Sequence, residues 1–327
     1  MTRNGQSGFL RARQSFRGPI VMKALRNILV IVVLLYAALI VYAYLPYPVS
    51  SPETFAGKNS HFINLGGKTI HYTVQSSGPA LMLVHGFGGS TLAWDKLIPL
   101  LTPHYTVYAL DLPGFGLSDK PVDASYALPA QADIVCALIN ALGLEETVLI
   151  GHSMGGVIVA DAVRKLPDRI KALIMIEPGF YYTPPAFFQN LFFPFDRAMA
   201  KMFYSRTGRE KSFVASYYDT SLVTEEMIDA LLIARHTPGA VEAMQAMSSD
   251  PSAYITYENI AAAVTCPSLM IWGERGEKTR IREIEDSQRL MKGSKLVMVK
   301  SCGHYVQDEK PEQTAQAILA FLRSLPF

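Results

Sequence analysis

Cysteine is scarce in this sequence: the 327 residues include three, Cys136, Cys266 and Cys302, and no two of them form a C-x-x-C pair. Such sparse, widely spaced thiols exclude a disulfide framework and a zinc site built on cysteine pairs, and we expect neither a metal nor another cofactor. Internal repeats are also lacking, which excludes a repeat architecture. The formal net charge is only +2 and no face is rich in lysine and arginine, so nucleic acid is not an expected partner.

The N-terminal part of the chain lacks acidic residues. Residues 1–27 carry six basic side chains, and residues 28–45, ILVIVVLLYAALIVYAYL, form an uncharged apolar run. Because this run is long enough to cross a bilayer as a helix, we predict a single transmembrane anchor. The positive-inside rule then places the N-terminus in the cytoplasm and the globular part on the extracytoplasmic side. Residues 46–60, which begin with two prolines and continue as a polar stretch, are predicted to be a linker.

One alternative to this anchor and one alternative start of the chain stay open at the level of sequence. A cleaved signal peptide would need a processing site, and Val41-Tyr42-Ala43 matches the small-residue pattern only weakly. Translation could also begin at Met22, since MKALRN followed by the apolar run is a complete membrane signal by itself.

The remainder of the chain alternates short apolar runs with helical patterns. The runs read as strands at HFINL, KTIHYTVQ, ALMLV, YTVYAL, TVLI, KALIMIE, PSLMIW and KLVMVK. Near-continuous apolar strands separated by helices predict a mostly parallel sheet with helices on both faces. We assign residues 61–178 and 264–327 to this core. Residues 179–263 show no strand pattern and are rich in aromatics and methionine, so we predict a helical insertion that covers the carboxyl ends of the strands.

One candidate nucleophile lies in LIGHSMGG, residues 149–156. The strand TVLI ends at Gly151, and a helical pattern begins just after Ser153. A strand, a tight turn and a helix with glycines at both flanks are what a nucleophile elbow requires, because the turn leaves no room for side chains there. The context therefore favours Ser153 as a nucleophile.

A serine hydroxyl needs a base and a site for the developing negative charge. His304 follows the strand KLVMVK, which places it at the same sheet edge as Ser153. The glycine-rich loop HGFGGS suits an oxyanion hole formed by the backbone N–H groups of Phe87 and Met154. We expect His85 and His152 to hold these loops by hydrogen bonds.

Taken together, HGFGGS, DLPGFGLSDKP, GHSMGG and the late GHYVQDEKP resemble the α/β-hydrolase fold family over about residues 61–327, apart from the insertion. The insertion is similar to the cap of that family. The resemblance implies that Ser153 is the nucleophile, His304 the base, and the Phe87 and Met154 amides the oxyanion hole.

The identity of the acid in this triad follows less directly from the motifs. Common relatives carry W-G-x-x-D after the strand that follows the cap, and here Gly276 occupies the aspartate position. Glu177 ends the strand after the nucleophile helix, where some haloalkane dehalogenases carry their acid. A carboxylate that ends an apolar strand needs a partner, which a histidine would supply. We predict Glu177 as the acid, with Glu277 as the alternative.

The predicted reaction is ester hydrolysis through an acyl-enzyme. Dehalogenases and epoxide hydrolases use an aspartate nucleophile, so Ser153 argues against both. The aromatic cap and the anchor favour a small ester with an apolar part, such as a lipid ester or a monoacylglycerol. An acyltransferase with the same triad, a carbon–carbon bond hydrolase and a non-catalytic binding member of the fold remain alternatives. The sequence leaves the oligomeric state open.

Overall fold

The computed structural model describes residues 18–180, 191–249, 258–274 and 278–326. The first helix that the structure describes is α1 (Gly18–Tyr44), whose apolar stretch Ile20–Tyr44 is long and apolar enough to cross a membrane and is mostly exposed, although Ala43 near its end is buried. This length and composition fit either a membrane span or an N-terminal signal sequence.

The core of the protein is one eight-stranded sheet in the order β1-β2-β4-β3-β5-β6-β7-β8. The first two strands pair antiparallel and β2 joins β4 antiparallel, whereas all pairs from β4 to β8 are parallel. The strands are β1 (Ser60–Leu65), β2 (Lys68–Gln75), β3 (Ala80–Val84), β4 (Thr106–Leu110), β5 (Thr147–His152), β6 (Ile170–Ile176), β7 (Ser268–Glu274) and β8 (Lys295–Lys300).

Helices cover both faces of this sheet, which is why the central strands are apolar throughout. Along β3, Met82 and Val84 face one hydrophobic cluster while Leu81 and Leu83 face the other. The core helices are α2 (Ile98–Leu101), α3 (Leu128–Ala141), α4 (Met154–Lys165), α10 (Lys278–Leu290), α11 (Val306–Glu309) and α12 (Pro311–Arg323). The α3 and α4 helices pack on the first face, and α12 packs with Trp94 on the second.

The chain between β6 and β7 forms the cap. Its described part is helical and contains no strand: α5 (Phe195–Phe203), α6 (Arg206–Ser216), α7 (Glu225–Leu232), α8 (Ala240–Ser249) and α9 (Glu258–Ala262). The sequence-based expectation of an α/β-hydrolase fold with a mostly parallel sheet is confirmed.

The helix α1 is held by the cap at its C-terminal end. Lys201 donates from Nζ to the carbonyl oxygens of Tyr42, at 2.7 Å, and of Leu45. Arg197 donates from Nε to the carbonyl oxygen of Ala43 at 3.2 Å, and its guanidinium lies 4.8 Å from the centre of the Tyr44 ring. Two cations therefore sit where the helix dipole is negative and where the last carbonyls need donors.

Two features add to the expectation drawn from sequence. The α1 helix begins at Gly18, ten residues before the predicted span 28–45, and so includes Lys23 and Arg26. The stretch predicted to be a linker is tied to the cap: Ser50 N–H donates to the carbonyl oxygen of His236 at 2.7 Å, and the His236 ring returns a hydrogen bond to the carbonyl oxygen of Pro48 at 2.9 Å.

Candidate active site

Ser153 stands at the turn between β5 and α4. Its backbone is in the left-handed region, with φ of 53°, which few residues other than glycine adopt. The Ser153 N–H donates to the carbonyl oxygen of Ile176 at 2.9 Å, so the neighbouring strand holds the strained turn. A Cβ atom at Gly155 would overlap the carbonyl oxygen of Val84, which explains the glycine that follows the serine.

His304 lies in the loop that follows β8. Its backbone N–H donates to the carbonyl oxygen of Ser216 in the cap at 2.7 Å, and its own carbonyl oxygen accepts from Nε2 of His152 at 2.9 Å. The two imidazole rings lie 4.7 Å apart. Because the cap and the residue before Ser153 both hold this loop, the imidazole of His304 is placed beside the elbow.

Glu177 directly follows β6, and its carboxylate reaches Gly273 on β7 and His304 in the loop after β8. Its Oε1 accepts from the Gly273 N–H at 2.6 Å, and its Oε2 lies 3.2 Å from Nδ1 of His304. The residue is 1% exposed, so this carboxylate is satisfied inside the protein by one amide and one imidazole. Of the two carboxylates predicted from sequence, the structure brings Glu177 to His304, while Glu277 lies outside the described residues.

The glycine-rich loop after β3 packs directly against the elbow. A Cβ built at Gly86 would lie 3.0 Å from the Cβ of Ser153. Among the described residues, neither the Phe87 N–H nor the Met154 N–H has a hydrogen-bond acceptor. Both predicted oxyanion donors are therefore next to the serine and available to a ligand.

His85 fixes this loop as a neutral ring. The side chain is fully buried, and burial lowers its pKa. Its Nε2 accepts from the Leu112 N–H at 3.1 Å, which requires Nδ1 to carry the proton and donate to the carbonyl oxygen of Gly86 at 2.7 Å. Such a ring orients loops and is not free to act as a base for Ser153.

Aromatic side chains surround the loop. The Phe87 ring is 46% exposed and makes edge contacts with Phe115 and with Phe203 of the cap, with centroids 5.7 and 5.6 Å apart. The Phe87 ring thus joins a ring of the core and a ring of the cap in an aromatic cluster beside the glycine-rich loop.

Asp111, in the DLPGFGLSD motif, has a structural position. Its carboxylate accepts from the N–H groups of Thr91 and Leu117, both at 2.7 Å, and from Nδ1 of His71 at 2.8 Å. Burial alone would raise the pKa of Asp111, but the hydrogen bonds from His71 and Leu117 outweigh it and lower the pKa. The carboxylate therefore stays ionised and ties strand β2 to the segments that carry Thr91 and Leu117.

Sequence reasoning missed two charged residues beside the site. Glu309 is buried and accepts from the N–H groups of Gly303, Tyr218 and Asp219, at 2.7, 2.9 and 3.2 Å, so it ties the His304 loop to the cap. Arg209 reaches from the cap to the carbonyl oxygen of Gly88 at 2.6 Å. Only the position of Glu309 within the GHYVQDEKP motif could have drawn attention to it.

The described residues contain no group of three or more histidine, cysteine, aspartate or glutamate side chains that could hold a metal ion.

A mostly parallel sheet whose strand β5 leads through a tight turn at Ser153 into α4 is typical of α/β hydrolases. A family model for the alpha/beta hydrolase fold matches residues 79–311, and the chain belongs to that family.

Individual relatives cover most of the chain. An uncharacterized hydrolase of Bacillus subtilis, YugF, is 30% identical over 264 residues, which are 79% of this chain and 95% of the relative. The 2-hydroxy-6-oxononadienedioate/2-hydroxy-6-oxononatrienedioate hydrolase of Klebsiella pneumoniae is 25% identical and spans 83% of this chain and 98% of its own. The crystal structure of a membrane phospholipase A, a bacterial virulence factor, is similar with a TM-score of 0.69 and 28% identity, covering 91% of this chain and 98% of the other. Membership of this family indicates a hydrolase with a small-molecule substrate.

Proposed function

We propose that this chain is a membrane-anchored serine hydrolase that cleaves carboxylic esters with an apolar part, such as lipid esters or monoacylglycerols, through an acyl-enzyme. The observation that carries the proposal is the pair of Glu177 and His304, 3.2 Å apart, at the sheet edge where Ser153 occupies a strained elbow. Nucleophile, base and orienting acid then come in the chain order Ser, Glu, His, as in other members of this fold.

The mechanism follows from these positions. Glu177 holds the proton of His304 on Nδ1, which leaves Nε2 to accept the proton of Ser153 as its Oγ attacks the ester carbonyl carbon. The amides of Phe87 and Met154 donate to the oxyanion of the tetrahedral intermediate. His304 then returns the proton to the departing alcohol, and a water activated by the same imidazole releases the acid.

An apolar substrate is supported by the surroundings of the serine and by the position of the cap. The rings of Phe87, Phe115 and Phe203 border the oxyanion loop, and the cap contacts the end of the apolar helix α1. The relative that is a membrane phospholipase A acts, by its name, on lipid esters. With the basic segment 1–27 in the cytoplasm, the catalytic domain would face the outer leaflet.

The test is labelling with a fluorophosphonate probe. We expect covalent labelling of the full chain in detergent, complete loss in Ser153→Ala, and unchanged labelling in Ser125→Ala, which alters an exposed loop serine. A full chain that stays unlabelled, or a Ser153→Ala variant that is still labelled, would contradict a Ser153 nucleophile. Product analysis with an added alcohol separates release to water from acyl transfer to the alcohol.

A further inference from the structure

Arg209 is a buried cation in the cap. It lies on α6, is 5% exposed, and its Nη2 donates to the carbonyl oxygen of Gly88 at 2.6 Å. The guanidinium carbon lies 4.6 Å from the centre of the Phe203 ring. The side chain is thus enclosed between the cap and the glycine-rich loop after β3.

This cation has no counter-ion among the described residues. Its Nε has no hydrogen-bond partner, and the groups whose charge acts on it are Tyr204 and Tyr305. Burial raises the pKa of Tyr204 to about 12 and also raises the pKa of Tyr305, so both phenols are neutral at physiological pH. The buried Tyr204 hydroxyl has no hydrogen-bond partner either.

Arg206, one turn earlier on the same helix, shows the ordinary arrangement. It is solvent-accessible and forms ion pairs with Glu225 and Asp229. The exposed arginine of α6 therefore has two carboxylate partners and the buried one has none. Removing a guanidinium from water without a counter-ion is costly, and a bound anion would offset that cost.

The position of Arg209 relates it to the reacting serine. Gly88, which accepts its hydrogen bond, is two residues beyond Gly86, and a Cβ at Gly86 would touch the Cβ of Ser153 at 3.0 Å. Two residues extend the chain by at most about 7.6 Å. The Phe203 ring beneath the guanidinium also contacts Phe87, the residue that carries one oxyanion amide. An anion on Arg209 would therefore lie within the length of a small ester substrate from Ser153.

We propose that the side chain of Arg209 binds an anionic oxygen group, a phosphate or a carboxylate, carried by the ester substrate. This inference rests on the proposed ester hydrolase and adds the charge of its substrate. The planar guanidinium offers paired N–H donors that match the oxygen spacing of both groups, and Tyr204 lies close by with a further free donor. The substrate class becomes acidic esters with an apolar acyl chain.

Binding without turnover tests this inference. In a Ser153→Ala background we would measure the Kd of three compounds with the same acyl chain: 1-acylglycerol, 1-acylglycerol 3-phosphate and a 1-acylglycerol hemisuccinate. At least one acidic compound should bind more tightly than the neutral one, and adding Arg209→Gln should weaken only the acidic compounds, by about 10- to 100-fold. The phosphate and carboxylate arms distinguish the two anions.

Three controls keep the result specific. Arg206→Gln removes a charge from the same helix and should change no Kd. Arg209→Lys retains the charge without the fork and should recover part of the loss. Thermal unfolding of each variant checks that the cap remains folded.

The inference is overturned if neutral and acidic esters bind equally before the arginine is changed. It is also overturned if Arg209→Gln weakens all three compounds alike, since Arg209 would then act by holding the loop through Gly88. Fluorophosphonate labelling of the single variant Arg209→Gln reports on the serine hydrolase separately, so the failure of one idea is distinct from that of the other.

Discussion

Glu177 combines an unfavourable backbone with a buried charge. Its φ is 50°, a value that costs an ordinary residue of the order of 1–3 kcal/mol. The conformation turns its carboxylate back across the sheet edge, where the Gly273 amide and His304 both meet it. Strain at a position that also holds a buried ionisable pair is characteristic of functional sites.

The role of Glu177 is tested by Glu177→Gln, which keeps the shape and the acceptor for Gly273. A glutamine does not stabilise the imidazolium and permits the wrong histidine tautomer, so we expect kcat to fall by about 10³- to 10⁴-fold. Glu277→Gln, measured in the same ester assay, should stay near the wild-type rate. If instead Glu277→Gln abolishes turnover and Glu177→Gln is active, the acid is Glu277.

Among individual residues, the sequence identifies those whose role can be inferred from residues close to them in the chain. Ser153 is recognisable from the glycines beside it, and His304 from the strand before it. Glu177 is the predicted acid because glycine, at Gly276, occupies the usual aspartate position. Arg209 carries no such signal, because its hydrogen-bond partner, Gly88, is 121 residues away in the chain; RTGREKS reads as an ordinary solvated helix face.

The elbow is the element on which the site depends. Gly155 lies in α4 and faces the carbonyl oxygen of Val84 on β3. A Cβ atom at this position would overlap that oxygen, so there is no room for a methyl group. Gly155→Ala must push the helix from the sheet, and overpacking of this kind costs about 1–3 kcal/mol. We expect lower stability in chemical denaturation together with slower labelling of Ser153.

The control is Gly57→Ala, because a Cβ at Gly57 meets nothing within 4 Å. Its stability should stay within about 1 kcal/mol of wild type. Equal stability of Gly155→Ala and Gly57→Ala would mean that the elbow has room for a methyl group and that Gly155 is not needed for packing.

The sequence could predict the elements that are strongly apolar because they are buried. The five central strands β3 to β7 correspond to apolar runs because helices cover both faces of the sheet there. The helix α10, with the sequence KTRIREIEDSQRL, was not predicted. It is too polar to show an apolar stripe, and it is helical because it connects two parallel strands and packs through few residues such as Ile284.

At the scale of the whole molecule, the helix α1 and the cap are in contact along part of the helix. Tyr36 donates its hydroxyl to the carbonyl oxygen of Phe193 at 3.2 Å, and the Tyr44 ring lies 6.0 Å from the Phe193 ring. Those tyrosines are eight residues, or about 12 Å, apart along the helix axis. The turn that carries the exposed Phe192 and Phe193 therefore lies alongside the apolar helix and not beyond its end.

If α1 spans a bilayer, this turn enters the acyl chains, and brominated lipids test it. Trp94 and Trp272 are at most 1% exposed, so they give a shielded background. In nanodiscs we expect Phe192→Trp to add fluorescence that lipids brominated along the acyl chain quench. Met298→Trp, on the edge strand β8, should add fluorescence that the same lipids leave unchanged. Unquenched Phe192→Trp would place the turn outside the membrane.

The sequence could not predict this arrangement, although it marks both parts as apolar. The contacts between α1 and the cap join residues more than 150 positions apart, as in Tyr36 with Phe193 and Tyr42 with Lys201. No local pattern encodes a register between two such distant helices.

The hydrogen bonds of Lys201 and Arg197 attach the cap to the C-terminal end of α1. If α1 spans a bilayer, these two cations give the cap a fixed position relative to the membrane. Any change in the separation of cap and sheet would then appear, to an observer in the bilayer, as a movement of the sheet and its helices.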